Sequence, residues 1–560
     1  MWLINTTTLN LEEFTDPSVV KYAILSHTWG KDEVSMQDMA YLPRAKAKAG
    51  FAKIAKTCEI ALQKGLGYAW VDTCCIDKAS SAELSEAINS MFRWYKDAYV
   101  CFVFLSDLSP EHVGYSYSKS PVTNRPTREL AACRWFSRGW TLQELIAPVY
   151  VEFYDGNWNF RFTKDGEAST LSALTKIDVD ILMFKNELKN VPVAVKMSWA
   201  AYRETTRAED RAYSLLGLFD INMSMLYGEG VKAFQRLQQE IVRETDDLSI
   251  FAWLGTDTKQ AYRGAFAKSP LEFAFCDGFK HANKLLNDSQ EFSITNKGVR
   301  TNAELLLDDR NVCTIYLGGI AELCGRCGHS HKVFAGLLFT ANGWVRVSPA
   351  KCWPEPQPTN VRQMDIYLRR EVTWDESRAI ERVSTHSFNV TLDWEGAGWD
   401  DISVLPQHLW DPLQRAFVGK VLTGEFMGVV IIGLNMPMPL VFHLLVYRSV
   451  DGNVRVVLYA EPSTGWEILE GLRPQDHAML PLGKLLEMYR RLSLENVGNA
   501  GTRVRASRRG KDGRALDMTF EVCLEDDLSI VISQVASPVR TVKSGSNSKS
   551  SMHLFDRRFR

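Results

Sequence analysis

The chain has 560 residues, which is too long for a single hydrophobic core and predicts about two to four domains. With 46% hydrophobic and 24% charged residues, its composition is typical of a soluble globular protein. The formal net charge of -2 argues against nucleic acid or an anionic membrane as a partner attracted by charge.

The distribution of cysteines and apolar runs indicates the compartment. The 11 cysteines are scattered along the chain, which is typical of free thiols in a reducing environment. The first residues lack a basic region followed by a long apolar one, so we expect no signal peptide. The best membrane candidate, residues 426–434, is far shorter than the ~20 residues of a spanning helix. We therefore expect a cytoplasmic protein with no membrane partner.

Strand and helix signals alternate through the first 160 residues. Apolar runs typical of buried strands occur at residues 21–26, 68–72, 99–105 and 149–154. Helical spacing of apolar residues between them predicts helices at about 45–64, 81–98 and 132–148. Core candidates in the first of these helices are Phe51, Ile54, Ile60 and Leu62. This alternation predicts an α/β fold, with a parallel sheet flanked by helices on both faces.

Polar side chains follow three of the predicted strands. Open parallel sheets bind ligands at the carboxyl ends of their strands. Five polar or aromatic side chains fall at that edge, namely Ser26, His27, Trp29, Asp72 and Asp107. Because polar residues follow strands in most proteins, this convergence favours a site only modestly.

The stretch from residue 132 to residue 148 combines an apolar face with charged groups. Its apolar face consists of Trp135, Leu142, Leu145 and Ile146. Glu144 lies four residues after Trp140, on the same helix surface, and Arg134 and Arg138 have the same spacing. An acid beside an indole and two guanidiniums suits a flat, phosphate-bearing ligand. An ordinary amphipathic helix is the alternative.

The sequence pattern changes in the rest of the chain, from helical to β-rich and then to a polar tail. Residues 155–253 are mostly helical in pattern, and we interpret Glu209, Asp210 and Arg211 as an ion-pair network that docks these helices on the sheet. Short β-rich runs dominate from about residue 256 and predict a mainly antiparallel domain. A Ser-, Lys- and Arg-rich tail predicts disorder. The predicted domains are residues 1–160, 161–255, 256–536 and 537–560.

Four sequence blocks resemble the fungal heterokaryon-incompatibility (HET) domain. They are Tyr22-Ala-Ile-Leu-Ser-His-Thr-Trp-Gly30, Ala69-Trp-Val-Asp-Thr-Cys-Cys-Ile-Asp77, Glu86-Ala-Ile-Asn-Ser-Met91 with Trp94-Tyr95, and Arg134-Trp-Phe-Ser-Arg-Gly-Trp-Thr-Leu-Gln-Glu-Leu145. Residues 209–217 and 227–234 resemble the segment that follows this domain in such proteins. The resemblance covers roughly the first 255 residues and implies a role in incompatibility, innate immunity and programmed cell death.

The resemblance extends further to TIR domains, which have a flavodoxin-like α/β fold. Gly139-Trp-Thr-Leu-Gln-Glu-Leu145 is similar to the Trp-Cys-x-x-Glu-Leu segment of TIR domains, whose Glu is catalytic in those that cleave NAD. That Glu falls on Glu144, and Thr141 stands where the TIR pattern has Cys. The resemblance therefore implies an NAD glycohydrolase with NAD as substrate and no further cofactor. It also implies a homo-oligomer when active and an upstream incompatibility partner.

The residues at the expected site suit this chemistry. Cleavage of NAD expels neutral nicotinamide, so one carboxylate near the ribose, that of Glu144, can stabilise the oxocarbenium-like centre. Trp29 or Trp140 are expected to stack on a ring of NAD. Other groups expected to bind NAD are Arg134 or Arg138 at the pyrophosphate, Ser26 and Asp72 at ribose, and His27 beside them.

Three alternatives remain open at this point. The domain acts without chemistry, as a signalling module that assembles with itself or a partner. A cysteine hydrolase would use Cys74 or Cys75 with His27 and Asp72, although such cysteines are more often buried and inert. Zinc ligands are present in Cys324, Cys327, His329 and His331, but two ligand pairs this close together converge on one ion with difficulty.

Overall fold

A computed structural model describes residues 1–110, 125–281, 291–307, 313–321, 331–340, 342–349 and 360–384, and beyond these only the strands given below. The chain divides into two compact units, residues 1–381 and 382–560. The four predicted domain boundaries stay predictions, and the predicted tail after residue 536 lies outside the described residues.

The first sheet has seven strands with a parallel centre. They are β1 (Trp2–Asn5), β2 (Leu11–Glu13), β3 (Tyr22–His27), β4 (Tyr68–Trp70), β5 (Val100–Phe104), β6 (Val151–Tyr154) and β7 (Phe160–Thr163), in the order β2-β1-β4-β3-β5-β6-β7. The four predicted strands, β3 to β6, pair in parallel, which confirms the predicted parallel sheet. Short antiparallel strands, absent from the prediction, extend both edges.

Helices connect the parallel strands. They are α1 (Met36–Met39), α2 (Leu42–Lys46), α3 (Phe51–Gln63), α4 (Ser81–Asp97), α5 (Arg125–Ala132) and α6 (Thr141–Ile146), with a 3-10 helix at Arg134–Ser137 between the last two. The Ser80 hydroxyl caps α4 by accepting the amide N–H of Glu83 at 3.3 Å, which satisfies one of the unpaired donors of the first turn. This start at residue 81 is as predicted.

The predicted helix at 45–64 is shorter than expected. It begins at Phe51 and ends at Gln63, before Gly65, whose φ of 74° suits a helix terminus. Ile54 and Ile60 are buried as predicted, whereas Leu62 is 51% exposed. The assignment of Leu62 to the core was therefore wrong, because Leu62 lies on the solvent side of this amphipathic helix.

A set of short helices follows β7, as the sequence predicted. They are α7 (Ala168–Thr175), α8 (Val179–Leu182), α9 (Val193–Ser198), α10 (Asp210–Tyr213), α11 (Leu216–Phe219) and α12 (Lys232–Glu244). Glu209 accepts the amide N–H groups of Gly228 and Gly230 at 2.8 and 3.0 Å, and Asp210 accepts the Tyr227 hydroxyl at 3.0 Å. The two acids thus fix the 227–230 turn by hydrogen bonds, not by the predicted ion-pair network.

The first unit also contains an eight-stranded, mainly antiparallel sheet. Its strands are β8 (Tyr262–Arg263), β9 (Lys280–His281), β10 (Phe292–Thr295), β11 (Gly298–Leu307), β12 (Cys313–Ala321), β13 (His331–Thr340), β14 (Gly343–Val347) and β15 (Asn360–Leu368), followed by α13 (Trp374–Ser384). An additional pairing between β11 and β12 joins β11, β15, β14, β13 and β12 into a closed path.

The second unit contains two further sheets. Six strands follow the order β18-β19-β16-β25-β24-β23 and four follow β17-β20-β21-β22. Their bounds are β16 (Phe388–Asp393), β17 (Ile402–Leu405), β18 (Trp410–Asp411), β19 (Ala416–Phe417), β20 (Phe426–Leu434), β21 (Leu440–Arg448), β22 (Val454–Ala460), β23 (Arg503–Arg509), β24 (Ala515–Glu525) and β25 (Ser529–Val535). All pairings except β16 with β25 are antiparallel. The β-rich character predicted after residue 256 is confirmed.

Among the helices of the described ranges, none is long and apolar enough to cross a membrane.

Candidate functional site

The carboxyl ends of β3, β4 and β5 lie side by side and form one edge of the first sheet, here called the carboxyl edge. Ser26 and His27 are the last two residues of β3, and His27 is in register with Phe104 at the end of β5. Asp72 follows β4 by two residues, and Asp107 follows β5 by three. The sequence placed these residues correctly, because parallel strands end on the same side.

Glu144 lies in α6 and contacts this edge from within the protein. The Ser26 hydroxyl donates a short hydrogen bond to the Glu144 carboxylate. The indole N–H of Trp135 donates to the same hydroxyl oxygen at 2.7 Å. Because the oxygen of Ser26 accepts from Trp135, its own proton is directed to Glu144. A hydrogen-bonded series Trp135–Ser26–Glu144 therefore connects α6 with the end of β3.

Burial dominates the ionisation of Glu144. The residue is 7% exposed, and burial, together with the charge of Asp72, raises the pKa of its carboxyl to about 8. The hydrogen bond from Ser26, the nearby Tyr95 hydroxyl and the charge of Arg203 oppose the rise. No Lys, Arg or His nitrogen of the described residues forms an ion pair with it within 4.0 Å. Glu144 therefore does not face an open crevice, because α6 packs this side chain against β3.

His27, Asp72 and Trp29 form a second group at the carboxyl edge. The His27 Nδ1 lies 3.8 Å from an Asp72 carboxylate oxygen, and the Trp29 indole N–H donates to the other oxygen at 2.8 Å. Burial lowers the pKa of His27 to about 4, so the imidazole is neutral at pH 7. Trp29 is 50% exposed, and the Lys78 ammonium lies 3.8 Å from its ring centroid.

The residues predicted to bind the pyrophosphate or to stack on NAD do not all lie at the carboxyl edge. Arg134 spans the carboxyl edge: its Nε lies 3.7 Å from Asp107 and its guanidinium donates to the Thr28 hydroxyl at 3.4 Å. Arg138 instead donates to Thr206 at 3.4 Å. Trp140 hydrogen-bonds Asp210, and burial raises the pKa of that carboxyl although hydrogen bonds from Tyr227 and Trp140 oppose the rise. Arg138 and Trp140 therefore contact the helical segment, and their predicted contact with a ligand stays a prediction.

Two residues of this site were not anticipated as functional. Tyr95, named above only within the third HET-like block, donates its hydroxyl to the Leu25 carbonyl at 3.0 Å, and its oxygen lies within hydrogen-bonding range of Glu144. Arg203 donates to the Arg138 carbonyl and the Thr141 hydroxyl, both at 2.9 Å, and burial lowers its pKa to about 10. The paired Trp94-Tyr95 of the third HET-like block was the available signal for Tyr95, whereas nothing in the sequence marked Arg203.

The cysteine alternative is disfavoured by the burial of both thiols and by the raised pKa of Cys74. Cys74 and Cys75 are buried. A hydrogen bond with Cys75 and burial raise the pKa of the Cys74 thiol well above its usual range, so the reactive thiolate is scarce at pH 7.

The zinc alternative falls largely outside the described part of the chain. Cys324, Cys327 and His329 lie outside it, and His331 begins β13 with an exposed side chain. Within the described ranges, no cluster of three or more His, Cys, Asp or Glu side chains is arranged to hold a metal ion.

Comparison with known proteins identifies the segment that carries this edge. The family profile "Heterokaryon incompatibility protein (HET)" matches residues 22–124, and "Domain of unknown function (DUF8212)" matches residues 232–303. Vegetative incompatibility protein HET-E-1 of Podospora anserina is 44% identical over 228 residues, which is 40% of this chain and 16% of that protein. No solved structure matches significantly. As the sequence motifs predicted, residues 22–124 of this chain match the heterokaryon-incompatibility (HET) family, and 228 of its residues are similar to a vegetative incompatibility protein.

Proposed function

We propose that the HET domain of this chain cleaves NAD at the bond between nicotinamide and ribose, as the effector step of a cell-death response in heterokaryon incompatibility. The observation that supports it most is Glu144, a buried acid with no cation partner within 4.0 Å among the described residues, hydrogen-bonded to the last-but-one residue of a parallel strand. Acids whose pKa values are perturbed by burial are typical of functional sites.

The strand order supports a TIR-like fold as part of this proposal. Across the sheet the parallel strands lie in the order β4-β3-β5-β6. If they are numbered along the chain from β3, this spatial order is 2-1-3-4. Flavodoxin-like sheets have the same order over their first four strands and bind ligands where it reverses, between the first and third. In this chain that point lies between β3, which ends with Ser26 and His27, and β5, which Asp107 follows by three residues.

The proposed reaction needs one negative charge and one water molecule. The bond between C1′ of ribose and the pyridinium nitrogen breaks, and its electron pair goes to nicotinamide, which leaves neutral. Water then adds to C1′ and releases a proton. The Glu144 carboxylate stabilises the positive charge that develops on the ribosyl group.

The raised pKa of Glu144 makes NAD binding and ionisation interdependent. In the free protein the carboxyl is mostly protonated at pH 7, because its pKa is about 8. A positively charged nicotinamide ring nearby favours the carboxylate, since an opposite charge lowers the pKa of an acid. NAD binding therefore releases a proton. Because Glu144 is almost fully buried, catalysis also requires local movement at the carboxyl edge.

The partners and setting belong to the same proposal. The name of HET-E-1 places that protein in vegetative incompatibility, and we extend this role to the present chain. Self-assembly in the active state, an upstream incompatibility partner and a cytoplasmic location complete the proposal.

Replacement of Glu144 by Gln tests the chemistry. Glu144→Gln keeps the size and most hydrogen bonds but removes the charge, so NAD consumption falls on the order of 100-fold or more while the fold is retained. Chromatographic separation of nicotinamide and ADP-ribose gives the readout, and Glu59→Gln, an exposed residue of α3, is the control. Unaltered NAD under conditions that promote oligomers, or full activity in Glu144→Gln, would refute the proposal.

A second candidate function is signalling by contact alone. The burial of Glu144 and its bonds to Ser26 and Tyr95 favour it, because they also suit a structural acid. Cell death that persists in Glu144→Gln without loss of cellular NAD would establish this function instead.

A further inference from the structure

A large cavity lies away from the carboxyl edge, within the first unit. It has a volume of about 1530 Å³ and is bounded by helices α4, α9, α11 and α12 on one side and by strands β11, β12 and β15 on the other. None of the predicted NAD-binding residues lines it. The helical segment of the HET region and the eight-stranded sheet therefore enclose a separate space.

A mostly buried cation, Lys196, lines this cavity and has no hydrogen-bond partner in the described part of the chain. Lys196 of α9 is 7% exposed. Among the described residues its ammonium has no hydrogen-bond acceptor and no carboxylate within 4.0 Å, and its contact is the Phe219 ring at 4.8 Å. Because most of this side chain is removed from water, an anion that joins the ammonium is favoured. Burial accordingly lowers the pKa of Lys196 to about 8.

Asp247 is the acid whose charge raises the pKa of Lys196, but its carboxylate already binds other groups. Its carboxylate accepts the amide N–H groups of Val193 at 2.7 Å and Ser249 at 2.8 Å, and the His281 imidazole lies 3.5 Å away. These donors hold the pKa of Asp247 below its usual range against the effect of burial. The negative charge of Asp247 is therefore shared among three groups other than Lys196.

The remaining wall combines buried apolar side chains with exposed charged residues of both signs at the rim. The buried apolar side chains are those of Val193, Leu218, Ile241, Ile315 and Leu317. The rim carries cations and acids together, among them Arg93, Lys189, Glu244 and Glu304. Because the rim charges have both signs, the ammonium of Lys196 determines the sign of ligand that the interior favours.

We propose that this cavity binds a small organic anion, with its acidic group at Lys196 and its apolar body against the side chains of α12 and β12. A carboxylate, sulfonate or phosphate supplies the missing acceptors of the ammonium. Such a ligand contacts both the helical segment and the eight-stranded sheet, and stabilises their association. The site is independent of NAD cleavage, since it shares no residue with the carboxyl edge.

The first test uses 8-anilinonaphthalene-1-sulfonate, an aromatic sulfonate whose fluorescence reports binding. Lys196→Met keeps an unbranched apolar side chain but removes the charge, so affinity falls about tenfold or more, the equivalent of one charge-assisted hydrogen bond. Lys189→Met, which removes an exposed rim charge, changes affinity less than about twofold. Circular dichroism and thermal unfolding verify that both variants fold. Glu144→Gln binds the probe as the unaltered chain does.

The second test needs no variant. Trinitrobenzenesulfonate arylates neutral lysines with loss of sulfite, and mass spectrometry locates the labelled residues. Saturating anilinonaphthalenesulfonate protects Lys196 and leaves the exposed Lys46 of α2 unprotected. Equal loss of affinity in Lys196→Met and Lys189→Met, absence of probe binding to the unaltered chain, or no protection of Lys196 would each overturn the proposal.

Discussion

Two glutamates of the first unit are almost equally buried, yet their surroundings differ. Glu272, 2% exposed, accepts two hydrogen bonds from the Arg263 guanidinium at 2.5 and 3.0 Å and one from the Lys268 amide at 2.8 Å. Glu144 accepts from Ser26 and has no such cation. A buried acid that is paired with a cation has a structural role. A buried acid without a cation partner raises the free energy of the folded state and can bind a cationic ligand.

Surrounding aromatic residues reinforce the pairing at Glu272. The guanidiniums of Arg263 and Arg346 lie 4.3 and 3.8 Å from Trp253, and Arg346 also donates to the Phe251 and Trp253 carbonyls at 2.8 and 3.1 Å. This cluster joins the end of the helical segment to β8 and β14. The ion pair and hydrogen bonds within this cluster offset the free-energy cost of burying its charges. The cost of burying the Glu144 carboxylate has no such local compensation and lowers the stability of the fold.

The largest expected effect follows from breaking the paired cluster. Glu272→Gln leaves Arg263 buried without its counter-charge and lowers the free energy of unfolding by about 3–5 kcal/mol. Urea unfolding followed by tryptophan fluorescence measures it. The double variant Arg263→Met with Glu272→Leu removes both charges and regains most of that loss. A double variant less stable than Glu272→Gln would show that the pair stabilises by itself.

An intermediate effect is expected at Glu144, where substitution raises the free energy of unfolding instead of lowering it. Its pKa rises from 4.5 when unfolded to about 8 when folded, so between these values the folded state binds more protons. The stability that Glu144 contributes is complete below pH 4.5 and is lost as the pH rises through 8. Relative to the unaltered chain, Glu144→Gln therefore gains up to about 1.4 kcal/mol per pH unit in this window.

Urea unfolding at several pH values measures this gain. Glu209→Gln is the matched control. The amides of Glu209 itself, Gly228 and Gly230 hold the pKa of Glu209 below its usual range, so the change in stability with pH is expected to have the opposite sign. A pH-independent difference between Glu144→Gln and the unaltered chain would mean that Glu144 is as free to ionise when folded as when unfolded.

The smallest effect concerns the hydroxyl that contacts Glu144. The Ser26 hydrogen bond favours the carboxylate, so Ser26→Ala raises the pKa of Glu144 further. If the carboxylate is the active form, kcat/KM for NAD rises with pH through about 8 in the unaltered chain, and Ser26→Ala moves this rise to higher pH. The pH dependence of kcat/KM measures the shift, with exposed Ser18→Ala as control. An unchanged midpoint contradicts a role for Ser26 in this ionisation.

The parallel sheet was predictable because its signals are local. Each of β3 to β6 is a short apolar run, and the helices between them repeat apolar residues at helical spacing, as α4 does from Ala87 to Tyr95. The edge strands β1, β2 and β7 were missed, since their three or four residues are only partly buried and carry weak patterns. The placement of Ser26, His27 and Asp72 at one edge followed from strand direction alone.

By itself, the sequence determined the HET domain, the parallel sheet and the residues at its carboxyl edge, because motifs and periodicity are properties of neighbouring residues. Only the tertiary structure decided the state of Glu144, which is buried against Ser26 and has no cation within 4.0 Å among the described residues, and the separation of Arg134 from Arg138. It also decided the position of Lys196 in a cavity between α9 and β12. Burial and charge pairing depend on contacts between distant segments, and the spacing of residues along the chain does not encode them.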